Sequence, residues 1–171
     1  MRTLILGGAR SGKSRLAERM AQESQLAVTY IATAQPQDAE MAQRIAAHRA
    51  HRPAHWASIE EPLALAAALQ RHAAENHCVL VDCLTLWLTN LLLHPDTAMF
   101  ERERAALLDI LPELPGQIIL VSNETGLGIV PLGEITRRYC DEAGWLHQEL
   151  ATRCERVLLT VAGIPLTLKG T

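Results

Sequence analysis

No stretch of this 171-residue chain is apolar for long enough to cross a bilayer, which takes about 20 residues. The longest candidate, Leu84 to Leu93, is interrupted by Thr85, Thr89 and Asn90. A basic excess is also missing. The formal net charge is −3, whereas a broad nucleic-acid-binding surface needs a positive balance. Cys78, Cys83, Cys140 and Cys154 form no Cys-x-x-Cys pair, so they read as reduced thiols of a cytoplasmic protein, small core residues rather than a disulfide frame. The apolar run Thr3–Leu6 stops at Gly7-Gly8, and no export signal is expected there. Repeats, low-complexity tracts and linkers are lacking too, so one domain is expected over residues 1–171.

What remains is a chain half apolar and one fifth charged, the composition of an ordinary globular domain with a full core. Short runs rich in Val, Ile and Leu alternate with helical patterns. Thr3–Leu6, Ala27–Ala32, Val79–Val81, Ile118–Val121 and Val157–Val161 show little period-two alternation, as expected for strands covered on both faces. Helices are expected at Ser14–Gln22, Asp38–Arg49, Pro62–Ala74, Leu84–Leu93, Thr97–Leu111 and Glu134–Arg153. Pro62 would sit in a first turn preceded by Glu60 and Glu61, and Gly144 interrupts the last pattern. The β-α-β-α order implies an α/β fold with a mostly parallel central sheet flanked by helices. The tail reads as a hairpin, turning at Gly163-Ile164-Pro165 and adding Leu166–Leu168 as an edge strand.

Gly7-Gly8-Ala9-Arg10-Ser11-Gly12-Lys13-Ser14 matches G-x-x-x-x-G-K-[ST] at every position, between a strand and a helical pattern. Glycines let the backbone wrap an anion, and loop N–H groups with a helix N-terminus face its phosphates. Lys13 would supply a point charge to the β- and γ-phosphates, and Ser14 a hydroxyl ligand for Mg²⁺. The chain is therefore expected to be a P-loop nucleotide-binding domain using ATP or GTP. An acidic partner is expected at the end of a neighbouring strand, and Val79-Leu80-Val81-Asp82 supplies one. Asp82 would hold the magnesium, or cap the next helix, or both.

Residues 44–56 hold three arginines and His48, His51 and His55. Met41, Ile45 and His48 share one helix face, so His48 continues an inward stripe. Three readings compete for the segment. Zinc could bind the three histidines, but the spacing is unusual and the arginines repel a cation. The segment could be a solvated basic helix end. It could also be an anion site, with arginines on phosphates and a histidine as base or nucleophile. Ser122 to Pro131 is a glycine-bearing loop leaving a strand end, where open α/β sheets bind ligands. Trp56, Trp87 and Trp145 read as packing residues.

Taken together, these segments resemble a known family, the bifunctional adenosylcobinamide kinase / adenosylcobinamide-phosphate guanylyltransferases of cobalamin biosynthesis. The resemblance rests on Gly7 to Arg15, Tyr30 to Ala34, Glu40-Met41, Arg44-Ile45, His48-Arg49, Arg52-Pro53, Trp56 and Glu60-Glu61-Pro62. It continues through Asp82 to Thr85, Thr89 to Leu92 and Asn123-Glu124 with Gly126 to Pro131, the element most specific to the family. Position 82 is Asp or Glu in the family, and Thr also occurs where this chain has Ser122.

The resemblance implies two reactions. A nucleoside triphosphate phosphorylates the aminopropanol hydroxyl of adenosylcobinamide. GTP then gives GMP, by way of a histidine, to that phosphate, producing adenosylcobinamide-GDP and pyrophosphate. By position the histidine is His48, with His51 as the alternative. The implied nucleotide contacts are Gly7 to Ser14, then Ala32, Thr33 and Ala34, then Arg49, Ala50, His51 and Arg52, with Glu60 and Asp82. His48 and Lys13 would be catalytic, and Ser14 and Asp82 would be the metal ligands. The expected partners are ATP, GTP, adenosylcobinamide and its phosphate, in a homotrimer without nucleic acid, membrane span or tightly bound organic cofactor. The competing readings are another small-molecule P-loop kinase without nucleotidyl transfer, and a nucleotide-dependent switch.

Overall fold

The computed structural model describes residues 1–35 and 53–170. The helix expected over Asp38–Arg49, and with it His48, Arg49, Ala50, His51 and Arg52, lies outside the described residues. Strand β1 (Arg2–Gly7) leads into helix α1 (Lys13–Glu23), followed by β2 (Ala27–Ala32) and β3 (Ala57–Glu60). Next come α2 (Leu65–His72), β4 (His77–Asp82), α3 (Leu84–Leu92), α4 (Ala98–Ile110) and β5 (Gln117–Asn123). The long helix α5 (Glu134–Arg153) and the hairpin β6 (Arg156–Val161) and β7 (Ile164–Lys169) complete the chain.

The described strands form one seven-stranded sheet in the order β3-β2-β4-β5-β1-β6-β7. Every pairing is parallel except β6 with β7. Both faces are covered, which explains the unbroken apolar strands. Ile5, Tyr30, Leu80, Ile119 and Leu158 pack under Leu16, Ala17 and Ala21 of α1. Leu4, Ile31, Val79, Val81 and Leu120 point the other way, against Leu69, Trp87, Leu107, Leu146 and Leu150 of α2 to α5. Adjacent residues of one strand thus serve opposite cores, as the two-residue pleat requires.

Several expectations need correction. β3 was not expected; only Ile59 of its four residues is even partly buried, and it pairs on one side only. Helix α2 begins at Leu65, not Pro62. The Glu61 carboxylate accepts the N–H groups of Leu63 (3.1 Å) and Ala64 (2.8 Å), building a turn ahead of the helix. The tail hairpin turns at Ala162-Gly163, both at positive φ, and Pro165 lies within β7. An edge strand tolerates that proline because it has a side with no ladder to complete. Trp56 and Trp87 are buried, but Trp145 stands on the outer face of α5, 55% exposed. Helix α5 runs unbroken through Gly144.

Candidate active site at the phosphate loop

The C-terminal ends of the parallel strands line up across the sheet. Glu60 is opposite Ala32, Ala32 opposite Asp82, and Asp82 opposite Val121. Gly7, the last residue of β1, is opposite Asn123 of β5 and Thr160 of β6. The expected site residues within the described part of the chain therefore share one rim.

At that rim the chain leaves β1 through two backbone conformations that need glycine. Gly7 has φ 154°, and a Cβ there would lie 2.4 Å from the Thr160 carbonyl oxygen. Gly12 has φ 97°, and its Cβ would lie 3.1 Å from Cα of Gly163, in the β6–β7 turn. The turn is also tied to the loop by a bond from Gly163 N–H to the Ser11 carbonyl (2.8 Å). Between these points Gly8, Ala9 and Arg10 are exposed. Among the described residues no side chain caps the start of α1. Its first N–H groups are left for an anion.

Lys13 is buried, and its ammonium donates to the Gly8 carbonyl at 2.6 Å. Burial holds its pKa below the ordinary lysine value, against the opposing pull of Cys83 and Asp82. A phosphate arriving at the loop would add counter-charge beside this desolvated cation.

Asp82 does not lie on the strand beside β1, as expected from the sequence; β5 intervenes. Its Oδ2 accepts the Tyr30 hydroxyl at 2.9 Å. Ser14, in the first turn of α1, is half-buried. A hydroxyl and a carboxylate are both hard oxygen donors, so this pair fits Mg²⁺ rather than a thiolate-seeking metal.

Ala32 and Thr33 are buried, and Ala34 is half-buried. The Thr33 hydroxyl donates to the Cys83 carbonyl (2.6 Å) and accepts the Cys83 N–H (3.1 Å), welding the end of β2 to the end of β4. The Asn90 amide on α3 donates to the carbonyls of Thr33 (2.9 Å) and Pro62 (3.1 Å). Glu60 is exposed at the edge of the sheet, four strands from β1, which at ordinary strand spacing is about 19 Å. Glu60 and the phosphate loop therefore meet different parts of any bound molecule, or different molecules.

Sequence reasoning missed a cluster at the end of β5. The backbone N–H of Glu124 donates to the Gly7 carbonyl (3.0 Å), and that of Asn123 donates to the Thr85 hydroxyl (2.8 Å). Ser122 Oγ lies 2.8 Å from Nε2 of His147, both buried. Nδ1 of the same ring is 3.7 Å from Oε2 of Glu124. Burial lowers the His147 pKa from its ordinary value, with Glu124 pulling the other way. A signal for His147 existed: Ala143, Leu146, His147 and Leu150 form the buried stripe of α5 at helical spacing. Beyond Glu124 the loop projects, with Leu127, Ile129, Val130 and Leu132 at least 71% exposed.

The family model for cobinamide kinase / cobinamide phosphate guanyltransferase matches residues 3–168. The chain belongs to this family. It is 71% identical over 170 residues to the bifunctional adenosylcobalamin biosynthesis protein CobP of Pseudomonas aeruginosa, covering 99% of this chain and 98% of that one. It is 38% identical over 182 residues to CobU of Escherichia coli, covering 99% and 100%. Solved structures share the fold alone. The RadB recombinase superposes with TM-score 0.50 at 19% identity, covering 92% of this chain and 73% of that one. A Pyrococcus horikoshii OT3 protein superposes with TM-score 0.53 at 10% identity, covering 99% and 86%. Membership makes this chain an enzyme of the kinase / guanylyltransferase type. No described helix is long and apolar enough to cross a membrane.

Proposed function

We propose that the chain phosphorylates adenosylcobinamide on its aminopropanol hydroxyl with ATP or GTP, and then transfers GMP from GTP through a histidine–GMP intermediate on His48. The products of the second reaction are adenosylcobinamide-GDP and pyrophosphate. The observation that carries this reading is the end-to-end family match, on a chain whose phosphate loop has the backbone, lysine and acidic partner that phosphoryl transfer needs.

In the first reaction the Gly8-to-Ser14 backbone and Lys13 would bind the β- and γ-phosphates and stabilise charge as the γ-phosphoryl moves. Ser14 and Asp82 would hold Mg²⁺, which when bound neutralises phosphate charge. In the second, His48 attacks as the neutral imidazole. Arg49 and Arg52 favour that form by charge repulsion and stabilise the departing pyrophosphate. Ala32, Thr33, Ala34, Ala50, His51 and Glu60 would border the nucleotide. The distance from Glu60 to β1 supports two nucleotide positions along the rim. No tightly bound organic cofactor is needed. Four free cysteines support a cytoplasmic location. The exposed apolar loop from Leu127 to Leu132 supports self-association, which we take to be a homotrimer.

The test is incubation of the purified protein with α-³²P-GTP and Mg²⁺. An acid-labile, alkali-stable protein label that disappears in His48→Ala is expected. Absence of any covalent label, with kinase activity intact, would overturn the guanylyl-transfer half.

A further inference from the structure

The kinase reaction needs something that no assigned residue supplies: a group to take the proton of the attacking hydroxyl. The rim offers three carboxylates of interest. Asp82 already accepts the Tyr30 hydroxyl and is the candidate metal ligand. Glu60 stands at the far edge of the sheet, four strands from β1. Glu124 is different on both counts. It follows β5, the strand directly beside β1, and its own N–H is bonded to the Gly7 carbonyl, the first residue of the phosphate loop.

The Glu124 carboxylate is held as well as placed. Oε1 accepts the Gly126 N–H at 2.6 Å, which fixes the carboxylate against the start of its own loop. Oε2 is left on the side of His147, 3.7 Å from Nδ1. The opposite ring nitrogen is at 2.8 Å from Ser122 Oγ. A neutral ring whose Nε2 accepts the Ser122 hydroxyl carries its proton on Nδ1, the side that faces Glu124; this tautomer is assigned from the network. The imidazole is buried and the carboxylate is partly exposed, 21% at its side chain. A buried neutral dipole aimed at a carboxylate on the open rim orients that carboxylate without taking its proton-accepting role.

We propose that Glu124 is the general base of the phosphoryl-transfer reaction, and that His147 and Ser122 are the residues that position it. This rests on the kinase reading above. In the step, the acceptor O–H bond breaks and its proton passes to Glu124 Oε2. The freed electron pair forms the new O–P bond to the γ-phosphorus. The bond from that phosphorus to the β,γ-bridging oxygen breaks, and the nucleoside diphosphate leaves with the electron pair. The β5 end thus serves the acceptor, and the adjoining β1 end serves the donor.

The deciding experiment measures steady-state kinase kinetics of the full chain with adenosylcobinamide, comparing wild type with Glu124→Gln. Glutamine keeps an oxygen for the Gly126 N–H, so the turn survives while the base is lost. The expected result is a fall in kcat of about 10²–10⁴-fold, with KM for the nucleoside triphosphate within about threefold. Ser122→Ala and His147→Gln should each lower kcat by about tenfold through misplacement of the carboxylate, and Ser122→Thr, which keeps the hydroxyl, should restore it. An active wild type with an unchanged Glu124→Gln variant overturns this proposal alone. So does a variant in which kcat, KM and melting temperature all deteriorate together, which marks Glu124 as a turn cap. A wild type that binds triphosphate but never phosphorylates the corrinoid overturns the kinase reading as well.

Discussion

His147 is an imidazole packed between a helix and a sheet, where a positive charge would lose its water. Its pKa lies below the ordinary 6.5, because burial outweighs the attraction of Glu124. The sign of the consequence follows. In the unfolded chain the ring takes a proton as pH falls through about 6.5, while in the folded chain it resists. The unfolded state then binds more protons, so folding stability is fully present above that pH and is lost as pH drops below it. Melting temperature measured between about pH 7.5 and about pH 5.5 should fall more steeply in wild type than in His147→Gln. Parallel slopes would refute the assignment. At this scale the sequence was legible wherever function and backbone conformation coincide. Gly7, Gly12 and Lys13 belong to a contiguous motif whose spacing is its chemistry. Ser122, Glu124 and His147 do not: 25 residues separate the serine from the histidine, and only folding brings them together. The Thr33 side chain is spent on the Cys83 backbone, a tie between distant segments that spacing does not display.

Among the elements, α3 carries a tie that sequence pattern cannot display. Asn90, buried on a largely apolar helix, reaches two carbonyls from separate segments, those of Thr33 and Pro62. It thereby fixes the exit of β2 relative to the approach to α2. Asn90→Ala leaves the buried Thr33 carbonyl and the partly buried Pro62 carbonyl without that donor, which should cost about 2–4 kcal/mol and lower the melting temperature by roughly 5–10 °C. Thermal denaturation followed by circular dichroism measures it; a shift under about 2 °C would mean that water replaces the amide. The central strands were legible because both faces are buried and their residues are uniformly apolar. β3 was not, because an edge strand of four largely exposed residues has no hydrophobic pattern to show. The start of α2 was misplaced because its signals, Glu61 and Pro62, build the turn before the helix rather than its first turn.

For the molecule as a whole, the largest unmet demand is at the surface. Leu127, Ile129, Val130 and Leu132 stand out on one loop, with Ile129 98% exposed. A patch of this kind calls for a partner, and the homotrimer proposed above would supply one. Sedimentation velocity should give a trimer for wild type, and Ile129→Asp should shift it toward smaller species; a wild-type monomer would remove the inference. The parallel sheet itself was legible from the order of its elements, but its strand order was not, because crossover connections leave no mark on periodicity. That order places β1, made before either neighbour, between β5 and β6, and places the turn at Gly163 against Gly12. During synthesis the phosphate loop therefore emerges early and stands without either neighbouring strand. Its brace at Gly163 is made later, after a delay on the order of ten seconds at ordinary elongation rates. A nascent chain holds the nucleotide motif long before it holds a nucleotide site, so competence for the triphosphate is itself a report that the β6–β7 hairpin has arrived.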